Sequence, residues 1–118
     1  MANELTLTVG MTFSKGGAEG QRSDSIQVTV TGDAFNHNVQ EVGTTEEELA
    51  QNTILGTPGY LFVKNLDATN YVEIGTTTTK YAVKLKAKEI ALFRVDGTTI
   101  YAKANSAACN VEYWLIED

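Results

Sequence analysis

The chain holds one histidine and one cysteine, so chemistry built on either must centre on His37 or Cys109. His37 lies between Asn36 and Asn38 in a polar stretch. A catalytic base needs a nucleophile to serve or a carboxylate that orients it. No Gly-x-Ser-x-Gly motif is present, and function of that kind needs a constellation rather than a lone ring. His37 therefore reads as a surface or interface histidine. Cys109 follows Ala107 and Ala108 at the start of an apolar alternation and reads as a small buried hydrophobe. One thiol allows no intrachain disulfide. One histidine excludes His-rich zinc and two-histidine iron sites within a single chain.

The carboxylates offer little more. Glu46, Glu47 and Glu48 are consecutive and point in different directions on a strand or a helix. Calcium loops interleave carboxylates with glycine and carbonyl ligands, so a solvated charge run is the default. Asp67 with Asn65 and Asn70 is a better oxygen cluster, yet turn-forming side chains account for it without an ion. Gly16, Gly17 and Gly20 match no phosphate loop, because no Lys-Ser or Lys-Thr pair follows them. No catalytic residue, no metal site and no cofactor is expected.

The remaining candidates concern association. Lys84, Lys86 and Lys88, with Lys80 nearby, alternate as the basic face of one strand. Such a stripe either protects a sheet edge from aggregation or docks on an acidic neighbour, such as Glu46–Glu48 of another copy. These six residues form the expected interface. Tyr60, Phe62, Tyr71, Tyr81, Phe93, Tyr101, Tyr113 and Trp114 all fall in expected strands, where core packing is the simplest use of a large ring.

The elements that must position these groups follow from a period of two. Leu5, Leu7, Val9, Met11 and Phe13 alternate with polar residues and glycine, then residues 14–23 form a Gly-rich polar break. Ile26, Val28 and Val30 mark a second strand, and residues 35–42 a weaker, polar one. Thr44 or Thr45 could cap a single helical turn over the acidic triplet, or the triplet could be a short edge strand. Pro58-Gly59 closes a turn before Tyr60–Lys64, an apolar run suited to cover on both sides. Strands are expected at 71–74, 81–87, 90–95, 99–104 and from 111 to the end. Asp96-Gly97 is a type I′-like hairpin signal joining the third and fourth of these. Eight or nine short strands at regular spacing predict an all-β fold, an antiparallel two-sheet β-sandwich, jelly-roll-like in topology. The 118 residues are read as a single domain, 1–118, with no boundary drawn inside it.

Charge narrows the partners. Nine basic against fifteen acidic side chains give −6. Nucleic acid and an anionic membrane both need a concentrated basic face, so neither is expected. No run approaches the ~20 apolar residues of a membrane helix. The opening residues lack the basic start and apolar block of a secretory signal. Synthesis in a cytoplasm, where a lone thiol stays reduced, is expected.

From Gly59 onward the chain resembles small structural proteins of tailed bacteriophages. The residues that carry the resemblance run from Gly59 to Gly75, with Asn65-Leu66-Asp67 and Asn70 in a turn between strands, then from Val83 to Val95, with Leu85 four residues before Glu89. Ile100 to Asn105 and the acidic-ended strand Val111 to Asp118 complete it. About half the chain is covered, and residues 1–58 match by pattern alone. The resemblance implies a virion β-sandwich present in many copies, as a homo-oligomer or lattice among other virion proteins. A head-decoration protein or head-fibre base is the first expectation, a tail or collar component the second. Loop tips at 14–23 and 44–58 and sheet edges would meet neighbours. The rival expectation is a carbohydrate-binding module for the host surface, marked by two or three outward aromatics beside Asn or Asp. A cupin-like enzyme is disfavoured by the single histidine.

Chelation is expected to leave folding and assembly unchanged. A drop of several degrees in melting temperature with EDTA, reversed by calcium, would restore residues 65–70 as an ion site.

Overall fold

Gly16 and Gly17 set the first element. Both have positive φ, 57° and 88°, which is the backbone of a two-residue type I′ turn. The computed structural model, which describes residues 2–118, pairs Lys15 with Ala18 across that turn and continues in register to Leu5 with Val28. The hairpin is thus β1 (Leu5–Lys15) and β2 (Ala18–Val28), each eleven residues long. Residues 14–23, expected as a loop, are mostly strand. The alternation of β2 is masked because Gly20, Arg22 and Asp24 stand opposite Phe13, Met11 and Val9, leaving only Ile26 and Val28 apolar on that face.

The chain divides into two compact units, one ending at Thr31 and the other running from Gly32 to Asp118. The sequence offered no linker composition at this boundary.

The second unit contains β3 (Phe35–Val42), β4 (Glu47–Glu48), β5 (Pro58–Asn65), β6 (Val72–Gly75), β7 (Val83–Leu85), β8 (Ile90–Arg94), β9 (Tyr101–Ala104) and β10 (Cys109–Glu117). They form two four-stranded sheets, β3-β10-β5-β8 and β4-β9-β6-β7. All pairings are antiparallel. Consecutive strands switch sheets except at the β6–β7 hairpin, and the last strand lies beside the first. That is the doubled Greek key of a jelly roll. One core joins the sheets: Leu61, Val63, Val111, Tyr113 and Leu115 face Val72, Ile74, Leu85, Ala102 and Ala104. Burying each large apolar side chain contributes about 1.5–3 kcal/mol. The two alanines of β9 leave room for large neighbours such as Tyr113, whose hydroxyl donates to the Ala50 carbonyl at 2.6 Å.

Several local expectations are corrected. The acidic triplet starts no helix; Glu47–Glu48 is a two-residue edge strand on β9. Asp96-Gly97 makes no hairpin, because β8 and β9 belong to different sheets. Val95 and Ile100 are both buried, so residues 95–100 carry the chain over the end of the core. Gly97, at φ 145°, is not in the I′ region. The strand expected over 81–87 is only Val83–Leu85, since Lys88 takes φ 67° and turns the chain.

The polar character of β3 has a structural reason. Its inward amides bond to the segment after β4 in place of a sheet ladder. Gln40 donates to the Glu48 carbonyl and accepts from Ala50 N–H, both at 2.9 Å. Asn36 accepts from Asn52 N–H at 3.0 Å.

Asn65 is the one polar residue fully buried among the described residues. Its amide nitrogen donates to the carbonyls of Asn70, Leu85 and Lys86 at 2.9, 3.0 and 3.2 Å. Its oxygen accepts from Asp67 N–H at 2.9 Å, and its backbone N–H donates to Glu89. The Glu89 carboxylate in turn accepts from Lys86 N–H at 2.8 Å. The end of β5 is thereby fixed to the end of β7 in the other sheet. Gly75 marks a second close approach: a Cβ there would lie 2.1 Å from the Lys80 carbonyl oxygen.

Asn65→Ala should cost about 1–3 kcal/mol in urea denaturation, because the buried Leu85 carbonyl loses this donor. A loss under about 1 kcal/mol would mean water takes over the amide's role.

Candidate interaction surface

The sandwich has two unlike outer faces. On β4-β9-β6-β7 the outward row is charged: Glu73 is paired in register with Lys84 on one side and Lys103 on the other. Lys84 also sets its ammonium 4.1 Å over the Tyr71 ring. On β3-β10-β5-β8 the outward rows are largely apolar. One row reads His37, Trp114, Phe62, Leu92; the next reads Val39, Glu112, Lys64, Ile90. Phe35 and Ile116 extend the patch, with Tyr60 beneath the Arg94 guanidinium at 4.6 Å. Strand spacings make this apolar field on the order of 300 Å², the size at which a patch has a use.

The indole of Trp114 organises the patch. The His37 ring stacks on it at 3.9 Å and 15°, and the Phe35 ring lies parallel at 5.7 Å. His37 Nε2 donates to Glu112 Oε2 at 3.1 Å. The imidazole is thus held by stacking and one carboxylate. What this arrangement can do is bind a flat, partly apolar surface.

The six expected interface residues are not brought together. Lys84 is exposed on β7, an edge strand, as a protected edge requires. Lys86 and Lys88 lie beyond the strand, so the three lysines share no strand face; Lys88 donates instead to the Leu66 carbonyl at 2.6 Å. Glu46–Glu48 sit at the opposite edge of the same sheet. Glu46 accepts from the Tyr81 hydroxyl and from Thr79 N–H. Glu47 accepts from Gln40 and from Gly43 N–H, at 2.8 and 3.1 Å. Of the three glutamates only Glu48 is exposed with no side-chain partner. Asp67 serves its own turn, accepting from the N–H groups of Thr69 and Asn70. Those bonds hold its carboxyl below its usual range. Cys109 is fully buried, and burial pushes its thiol up, away from the nucleophilic form.

Among the described residues no group of three His, Cys, Asp or Glu side chains converges on a metal-sized site. No helix among them is long and apolar enough to cross a membrane. Comparison with protein-family models, with curated proteins and with solved structures finds no match.

The outward aromatics had a signal in the sequence. Tyr60–Lys64 and Tyr113–Ile116 carry large apolar residues at successive positions, which means apolar side chains on both faces. Phe35, His37 and Val39 carried none, because facing amides inward reverses the usual sense of the alternation.

The Tyr81 hydrogen bond, then that of Thr79, lowers the Glu46 carboxyl from its ordinary 4.5. Tyr81 is pushed up to about 12 by the same carboxylate. A carboxyl lowered in the fold adds stability above its unfolded value and loses it as pH falls through the folded one. Glu46→Gln should therefore be less stable than the parent at pH 6, with the gap closing below 4.5. Thermal melts across that range test it; a gap independent of pH would show that the charge contributes nothing.

Proposed function

We propose that the chain is a non-enzymatic structural protein of a tailed-phage virion, present in many copies and docked on a neighbouring virion protein. Head decoration or a head-fibre base is the favoured position, with a tail or collar component second. Synthesis takes place in the host cytoplasm before incorporation. The observation that carries the reading is the two-sided apolar character of β5 and β10. Their inner faces are covered by the second sheet, while outward Phe62, Trp114 and Ile116 have no such cover. A flat patch of this breadth fits a protein surface better than a small ligand, which prefers a concave site. Lys84 and Glu48, at opposite edges of one sheet, give adjacent copies complementary rims that help set register.

A second reading is favoured by one observation. Phe35, His37 and Trp114 cluster outward, as a glycan platform would. Against it, the imidazole already covers one face of the indole at 3.9 Å, leaving less flat ring for a sugar.

Mass spectrometry and imaging of purified virions should find the chain at a fixed copy number. Trp114→Ala should lower its affinity for the particle about thirtyfold, the effect of losing a central aromatic anchor worth about 2 kcal/mol. A chain absent from virions, whose Trp114 fluorescence changes saturably with host glycans, would replace the structural reading with the carbohydrate-binding one.

A further inference from the structure

The hairpin poses a separate problem from the sandwich. Two strands alone are marginal in water. One face of this hairpin is polar, with Thr6, Thr8, Thr12, Gln21 and Ser25. The other carries Leu5, Leu7, Val9, Met11, Phe13, Ile26 and Val28. In the single chain Met11 is 68% exposed and Phe13 53%, with Val9 and Ile26 about as open. Side chains of this size leave on the order of 100 Å² each, hence roughly 400 Å² of open apolar area. A standard interface takes about 800 Å² per partner, a little over half of it apolar. The face and its polar rim therefore match one side of a dimer.

We propose that the occupant of this face is the same face of a second copy, packed about a two-fold axis that crosses both strands at the Gly10–Ser23 pair. The proposal does not depend on the virion reading. An axis lying between the two hairpins and perpendicular to their strands reverses the order of rows and keeps β1 over β1 and β2 over β2. Row Val9–Asp24 then meets row Met11–Arg22 of the partner copy. Arg22 faces Asp24 twice, once on each side of the axis. These two side chains already pair at 3.0 Å within one chain and remain 70% and 63% exposed, so both have capacity for a further partner. The next rows agree in size. Leu7–Ile26 meets Phe13–Gly20, which sets Ile26 over the residue that lacks a side chain. The arrangement is isologous, so it closes as a dimer and leaves no open end. Two apolar ribbons packed this way become a four-stranded, two-layer unit with its own small core, which supplies the cover that a lone hairpin lacks.

Charge exchange between copies tests the arrangement. Arg22→Asp gives a face with two acids, and Asp24→Arg gives one with two bases. Each variant alone should raise the dissociation constant about 100-fold or more, since like charges meet across the axis. An equimolar mixture should restore dimers, as heterodimers detected by native mass spectrometry and sedimentation. A role confined to the pair within one chain would show no rescue on mixing. Phe13→Ser provides a second variant that should dissociate the dimer, while Thr8→Ser on the polar face and Trp114→Ala on the sandwich should keep it. The proposal fails if the wild type is monomeric at high micromolar concentration. It also fails if mixing does not restore dimers, or if Trp114→Ala abolishes association, which would assign the contact to the sandwich face.

Discussion

One buried amide holds the sandwich closed at its corner. Asn65 stands at the end of β5 and bonds to carbonyls contributed by the Asn70 turn and by the end of β7. Those carbonyls lie where the second sheet turns, and that of Lys86 also accepts from Glu89 N–H at 3.0 Å. A buried carbonyl without a donor costs about 1–3 kcal/mol, and this amide serves the buried Leu85 carbonyl while sharing its hydrogens with those of Asn70 and Lys86. The geometry of the two sheets at this corner therefore depends on a single residue type. Asp would bring a charge to face the carbonyl oxygens, and Leu would offer no donor.

This explains what the polar residues between Asn65 and Glu89 encode. Asn65, Leu66, Asp67, Asn70, Leu85 and Glu89 all meet in that corner, through Asn65, the Asp67 turn and the Glu89 bond to Lys86 N–H. These residues specify an arrangement of sheets. None of them belongs to the aromatic patch. A chain can share this corner and dock on a different surface, which is why fold and role separate here.

Much of the fold was legible because period-two patterning marks any strand that keeps its apolar residues on one face. Leu5–Phe13 and Val111–Leu115 are strands at the expected places. Legibility failed where another demand overrode the pattern. On β2 the partners of β1's apolar residues include Arg22 and Asp24, so no alternation marks the strand before Ile26. At 95–100 the burial of Val95 and Ile100 outweighed a common hairpin dipeptide. On β3 the inward residues are amides, because the edge strand holds an irregular segment through side chains rather than through its backbone. Within the expected charged interface, Glu46 and Glu47 also cap nearby backbone and side-chain donors of their own chain, which consecutive glutamates in a sequence do not reveal. The aromatic face went unseen since a sequence shows that a strand is apolar on both sides but not which side lacks a cover.

The place of β10 in its sheet has a consequence for the order of events during synthesis. It comes after the other nine strands in chain order, yet it lies between β3 and β5, and Gly32 N–H bonds to the Asp118 carbonyl at 3.1 Å. Until that segment leaves the ribosome, β3 has no neighbour to pair with and the sheet stays split. The jelly roll therefore closes only once β10 is available, in one closure of long loops, the slow class of folding reaction. Through that interval the outer apolar residues of β5 and β8 offer no finished surface. The outward face of the sheet and the closed core are thus completed by the same strand.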